Sequence, residues 1–324
     1  MLNDFTKIVA GAVTVLLAGG LALGTTQHQP ATASHQQPAT ASNLGSASHA
    51  TLDSFFSQPL IGSSVASSAT LAQETSQFGT LPIVRVYYPG LPAADAWSTG
   101  LAEANKSAVI VSFNADPTAI ISGSDNAALA QFFDTAPTGH AIYYSYYHEP
   151  EVPIATGQFT AAAYRQAWGV IVGIADQAHN PDLHSTLILM AYDLQSSSGR
   201  NWLNYLPSGN VISTLGWDAY PAGSADGGTK ELTPPAQFMG PAVAASKSAG
   251  LPFGFSEFGT SVVSGRSSWL TSVGNYLASS GALFGTLFDA AGPQPSMALT
   301  DSASISAWNN VVASSDHANG ISDS

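Results

Sequence analysis

Two glutamates stand where short apolar runs end. One lies in AIYYSYYHEPE (Ala141 to Glu151), where His148 and Glu149 follow a tyrosine-rich run and Pro150 forbids its continuation as a paired strand. The other lies in LPFGFSEFGT (Leu251 to Thr260), where Glu257 interrupts an otherwise apolar run and Gly259 follows. Glu257 is the only acidic residue between Glu231 and Asp289, so a solvated charged face does not account for it. Two carboxyl groups opposed across a cavity have a defined chemistry. One gives a proton to a leaving oxygen while the other attacks the carbon that loses it, which is what hydrolysis of a glycosidic bond requires. Glu151 competes with Glu149, because alternation along a continuing strand would turn both to the same side. Pro150 ends the strand and favours Glu149.

Other side chains near these run ends could support such chemistry. Arg85 sits inside the apolar run Ile83 to Tyr87, one of four arginines with Arg165, Arg200 and Arg266. A charge there is costly unless paired, and an interior carboxylate such as Glu257 would pair it. Tyr87, Tyr147, Tyr192, Trp202, Trp217 and Phe288 could stack on sugar faces, or simply fill the core. Asp193, Asp218 and Asp289 each follow a run and could orient neighbours or contact hydroxyls, although loop and cap roles suit the same positions. A metal site built from His148, Glu149 and Glu151 lacks the helical His-x-x-x-His spacing and contains a proline, so no metal or other cofactor is expected. No G-x-S-x-G elbow suggests a serine hydrolase.

The elements that must position these residues recur along the chain. Eight short apolar, β-branched or aromatic runs are separated by Ala-rich segments: Leu60 to Val65, Ile83 to Tyr88, Ala108 to Phe113, Ile142 to Tyr147, Thr186 to Ala191, Val211 to Trp217, Phe253 to Ser256 and Ala282 to Phe288. Helical spacing marks Thr160 to Ala178, and Pro235 to Ala249 opens with prolines that a helix tolerates in its first turn. Eight βα repeats predict a single (β/α)8 barrel over residues 58–315, near the roughly 250 residues usual for that fold. The open doubly wound alternative lacks a Gly-rich fingerprint after its first strand. Barrel active sites form where strands end, which is where Glu149 and Glu257 fall in the fourth and seventh runs.

At these segments the chain resembles the clan A glycoside hydrolases, whose acid/base glutamate ends strand four and whose nucleophile ends strand seven. The His148-Glu149 pair and the Ser256-Glu257-Phe258-Gly259 segment are similar to family 26, the β-mannanase family. So is Leu215-Gly216-Trp217-Asp218-Ala219-Tyr220, which matches a Gly-x-Asp-x-Tyr pattern. The resemblance implies Glu149 as acid/base, Glu257 as nucleophile and Tyr220 as the hydrogen-bond partner of Glu257. Arg85 stands near a place where clan members often carry an arginine, and His148, Tyr147, Tyr192, Trp217 and Asp218 complete the expected substrate-binding and supporting set. Pro150, Glu151, Val152 and Pro153 replace the aromatic residues that usually follow the acid/base, which leaves mannan itself unassigned. For the two roles to differ, Glu257 should stay ionised beside Arg85 while its surroundings raise the pKa of Glu149. A barrel that binds carbohydrate without cleaving it is the second reading, but binding alone does not need two opposed carboxylates.

Composition sets the remaining expectations. The 324 residues are 45% hydrophobic and 9% charged, enough for one large core, with no cysteine to form disulfides or thiolate sites. A formal net charge of −13 repels nucleic acid and anionic lipid, so a neutral glycan, polysaccharide or oligosaccharide, is the expected partner of a monomer. Residues 1–24 have the layout of a secretory signal, with an apolar run over 8–24 and an A-x-A-like site at Ala31-Thr32-Ala33. Secretion follows, or anchorage at the cell surface if the segment is not cleaved. Residues 25–57 are too polar to order themselves and read as a linker, His28, His35 and His49 included; residues 316–324 read as a polar tail.

Overall fold

A computed structural model describes residues 58–66, 68–221, 232–291 and 296–315. The expected leader, linker and polar tail lie outside them. Eight strands, β1 (Leu60–Ser64), β2 (Ile83–Tyr88), β3 (Ala108–Phe113), β4 (Ile142–Tyr146), β5 (Leu183–Met190), β6 (Thr214–Asp218), β7 (Phe253–Phe258) and β8 (Phe284–Phe288), close in sequence order into a barrel. All eight neighbouring pairs are parallel, including β1 with β8. The architecture is the (β/α)8 barrel that the repeats predict.

Around the barrel run α1 (Ser68–Phe78), α2 (Pro117–Ser122), α3 (Asn126–Asp134), α4 (Glu151–Ala155), α5 (Ala161–Ala175), α6 (Pro235–Phe238), α7 (Gly240–Ala249), α8 (Arg266–Ser280) and α9 (Ser302–Ala313). Thr160 starts α5 because its hydroxyl accepts the Ala163 N–H at 3.1 Å, and a 3-10 turn, Asp176–Ala178, ends the expected segment. The predicted helix over Pro235 to Ala249 is divided at Met239 into α6 and α7. Between β5 and β6 the described crossover uses only 3-10 turns, Ala191–Leu194, Ser196–Ser198 and Trp202–Asn204.

Strand alternation divides the apolar side chains into two layers. Outward residues such as Val86, Val111, Leu189 and Trp217 meet Trp168, Ile171, Leu270 and Trp308 of the helices in the main core. Inward residues Leu60, Ile83, Ala108, Ile110, Tyr143, Ile188 and Phe284 plug the barrel floor. Burying each large apolar side chain contributes roughly 1.5–3 kcal/mol. The floor fits only because Gly254 faces Phe284: a Cβ there would lie 2.4 Å from the ring. One level higher the inward positions turn polar: Arg85, Ser112, Ser145, Asp218, Ser256 and Thr286 are all at most 3% exposed. A greasy floor under a polar ceiling places the chemistry at the C-terminal ends of the strands.

Candidate active site

Arg85 projects from β2 into this ceiling and is 1% exposed. Its guanidinium donates to both oxygens of Asp218, at 2.7 and 3.0 Å, and to Glu257 Oε2 at 3.1 Å and the Ser256 carbonyl at 3.0 Å. One fork therefore joins the ends of β2, β6 and β7. Glu257 can take part because the β6–β7 register shifts between Gly216 and Asp218, and the β7–β8 register shifts between Phe255 and Phe258. Such a bulge re-aims a side chain. Phe255 and Phe258 both pack in the outer core, so Ser256 and Glu257 turn inward together. The Tyr220 hydroxyl donates to the other oxygen of Glu257, Oε1.

The β4 exit faces this cluster. Tyr147 and Glu149 both take left-handed backbone geometry, with φ of 46° and 51°, on either side of His148. Non-glycine residues hold such conformations only where their surroundings over-determine them, and these sites concentrate at functional centres. The His148 Nδ1 pairs with Ser112 Oγ at 3.0 Å, and its ring lies 5.6 Å from that of Tyr87. The Glu149 N–H donates to the Ile188 carbonyl at 3.1 Å, and its carboxyl lies within electrostatic reach of Asp218 and Glu257.

Burial and neighbouring charge act on the ionisable groups of this cluster. Burial first, then the charges of Asp218 and Glu257, raise the pKa of Glu149 well above the carboxylate range. Burial likewise pushes Asp218 up to about 7, although Arg85 pulls it down. Burial alone would lower Arg85, but Asp218 and Glu257 hold it above its ordinary value and fully charged. Glu257 accepts from Arg85 on one oxygen and from Tyr220 on the other. Burial and then Arg85 lower His148 to about 3, so it remains a neutral imidazole.

The other expected site residues divide. Tyr192 is in the 3-10 turn after β5 and is 46% exposed, with its hydroxyl donating to the Ser197 carbonyl at 3.5 Å. Tyr147 is half-buried and turned towards the α4–α5 connection, its hydroxyl on Gln158 at 3.2 Å and its ring against Phe159. The expectation for Trp217 is corrected. Gly216 and Asp218 face inwards, so the residue between them faces the helices. Trp217 is fully buried there, with its Nε1 donating to Ser246 Oγ at 2.9 Å and its ring edge-on to Trp202. Glu151 also points away from the Arg85 cluster, into a buried pocket behind β5. Asp289 accepts the Leu299 N–H at 2.6 Å in a loop role. Sequence reasoning missed Ser112, although it lies one alternation step beyond the inward Ile110. Among the described residues no group of three or more His, Asp and Glu is arranged to hold a metal ion.

No protein-family model matches the chain, and no curated protein matches it. Solved structures do. The chain is similar to the catalytic domain of a GH26 endo-β-1,4-mannanase from Bacillus sp. JAMB-750, with a TM-score of 0.53 and 13% identity, covering 78% of this chain and 85% of that one. An endo-1,4-β-mannanase from Rhizomucor miehei gives 0.54 and 11%, covering 79% and 95%. Thermotoga maritima Cel5A, solved with mannotriose, gives 0.54 and 9%, covering 78% and 98%. At such identities the likeness is one of fold.

Proposed function

We propose that this chain is a secreted, monomeric, retaining glycoside hydrolase that cleaves β-linked polysaccharide, with Glu149 as acid/base and Glu257 as nucleophile. The observation that carries the reading is the division of labour between two carboxyl groups across one barrel mouth. Glu257 is held by Arg85 and Tyr220, while Glu149 keeps a proton through burial and Asp218. The named neighbours act on β-1,4-linked mannan or bind mannotriose, which makes mannans and related β-1,4-glycans the first substrates to try.

In the first step an oxygen of Glu257 attacks the anomeric carbon. The bond to the leaving oxygen breaks as Glu149 gives that oxygen its proton. The products are a glycosyl ester on Glu257 and an ionised Glu149. Water then attacks the same carbon, Glu149 takes its proton, and the ester bond breaks to restore Glu257 and release a sugar of retained configuration. Before the first step and after the second Arg85 offsets the charge of the free Glu257 carboxylate, and neutral His148 adds no competing cation.

The test is reducing-sugar release from mannans, xylans, mixed-linkage and β-1,3-glucans and bacterial cell-wall glycans, comparing wild type with Glu257→Gln. Release by wild type alone, with the β-anomer appearing first in the NMR spectrum, supports the reading. Glycan binding without release from any polymer would favour a non-catalytic carbohydrate-binding barrel, and release by both proteins would remove Glu257 from the chemistry.

A further inference from the structure

The β4 exit rests on a neighbour that outruns it. Ladder pairing between β4 and β5 stops at Tyr144 and Ser185, yet β5 continues to Met190. Even-numbered residues turn their backbone groups towards β4, as Asp182 does in accepting the Ile142 N–H at 2.7 Å, while Ser185 faces β6 and accepts the Ser213 N–H at 3.0 Å. Ile188 and Met190 therefore present an unpaired edge on the β4 side, above the point where β4 has ended. A buried edge without partners is costly. Two groups from the turn after β4 replace the missing strand. The Glu149 N–H donates to the Ile188 carbonyl at 3.1 Å, and the Met190 N–H donates to Glu151 Oε1 at 2.8 Å.

Glu151 is fully buried at the start of α4, and it faces Asp193, which is 3% exposed and paired through Oδ1 with Arg200 at 3.2 Å. Glu151 Oε2 and Asp193 Oδ2 have no donor between them if both are ionised. Burial first, then the charge of Asp193, raises the pKa of Glu151, and burial raises that of Asp193, so the pair resists carrying two charges. A buried carboxyl pair contributes little to stability compared with an apolar substitute. What this one does is fix a turn, because Glu151 lies two residues beyond the left-handed Glu149.

We propose that Glu151 is a positioning residue. Its carboxyl stands in for the absent end of β4, locks the turn to Met190, and so holds Glu149 in the backbone geometry that aims its carboxyl at Asp218, with Asp193 and Arg200 keeping Glu151 in place. This rests on the hydrolase reading for its catalytic consequence, though not for the clamp itself.

Glu151→Gln keeps a carbonyl to accept the Met190 N–H, whereas Glu151→Leu keeps the bulk and removes the acceptor. Hydrogen exchange at the Glu149 and Met190 amides reads the clamp directly. Faster exchange at both in the Leu variant, restored by Gln, is expected, and unchanged exchange would overturn the proposal whether or not the chain is an enzyme. Hydrolysis of phenyl and 2,4-dinitrophenyl β-mannobioside and β-cellobioside reads the consequence. The phenyl leaving group needs a proton from Glu149 and the dinitrophenyl group does not. The Leu variant should lose roughly 10²-fold in kcat/KM on the phenyl glycoside, the scale of an ångström's misplacement, and little on the other. Equal losses on both, in step with a lowered Tm, would reduce Glu151 to a structural residue. If wild type splits neither glycoside, the polymer panel decides the hydrolase reading and amide exchange alone decides the clamp. Should the Leu variant not fold, Arg200→Gln, at a side chain 24% exposed, should show the same leaving-group bias more weakly; a uniform loss would count against the proposal.

Discussion

A guanidinium that is 1% exposed must find its counter-charge within hydrogen-bonding reach, and Arg85 finds two. The Glu257 contact was legible from the sequence, since a lone arginine and a lone glutamate in apolar runs call for each other. The two-pronged grip on Asp218 was not, because an aspartate closing an apolar run reads equally as a loop or cap residue, and residue types do not say that the ends of β2 and β6 meet across the barrel. That grip matters for proton transfer. Burial is the largest cause of the raised pKa of Glu149 and the charge of Asp218 the next. Asp218→Asn removes that charge, so Glu149 should give up its proton at lower pH. The alkaline limb of kcat/KM, which reports the free protein's acid, should therefore move to lower pH in this variant. Hydrolysis rates across a pH series check this, and an unmoved limb would detach Asp218 from the titration of Glu149.

Among the elements, strands were more legible than the turns that follow them. Alternation and flanking segments fix β2 and β3 to the residue, because each is a short β-branched run with no competing signal. The predicted seventh run stops at Ser256, whereas β7 continues to Phe258 through the bulge that turns Glu257 inward. An extra residue in a strand breaks period-two reading at the point where function needs it broken. The left-handed turns at Tyr147 and Glu149 were equally hidden, since neither residue favours positive φ and tertiary bonds impose it. Caps, by contrast, are local. Thr160 begins α5 where the residue pattern places it, through one side-chain bond to the Ala163 N–H. Thr160→Ala should cost about 1 kcal/mol, lowering Tm by roughly 2–4 °C for a domain of this size, and Thr160→Ser should restore it. Thermal unfolding of the three proteins tests the cap, and equal midpoints would show that packing of Trp168 and Ile171 alone sets the start of α5.

Across the molecule, the buried carboxyl groups among the described residues shift in one direction. Burial raises Glu74, Glu149, Glu151, Asp193, Asp218 and Asp289 alike, in a chain whose formal net charge is already −13. Each of these groups holds its proton to higher pH in the fold than in the unfolded chain. Glu74 isolates the effect because it lies on α1, away from Glu149 and Glu257. Its carboxyl is 1% exposed and Oε2 has no donor. Burial, then the charge of Asp289 at the exit of β8, lifts it from 4.5 to about 7, with Ser63 lowering it only in part. The native state therefore holds this proton more tightly than the unfolded chain does. Its contribution to stability is intact below pH 4.5, declines as pH rises towards 7, and above that leaves the fold weaker by about 3 kcal/mol. Asp301 shifts the opposite way, to about 2, through its bond with Arg266, so its own loss belongs to lower pH and does not overlap this window. Glu74→Gln copies the protonated form without a group that can ionise. Its Tm should match wild type near pH 4 and exceed it by several degrees at pH 8, so that the two curves diverge through the window in which Glu74 titrates. Calorimetric midpoints at pH 4, 6 and 8 measure that divergence. Parallel curves would mean that α1 opens enough for water to solvate Glu74, so that burial no longer holds its proton.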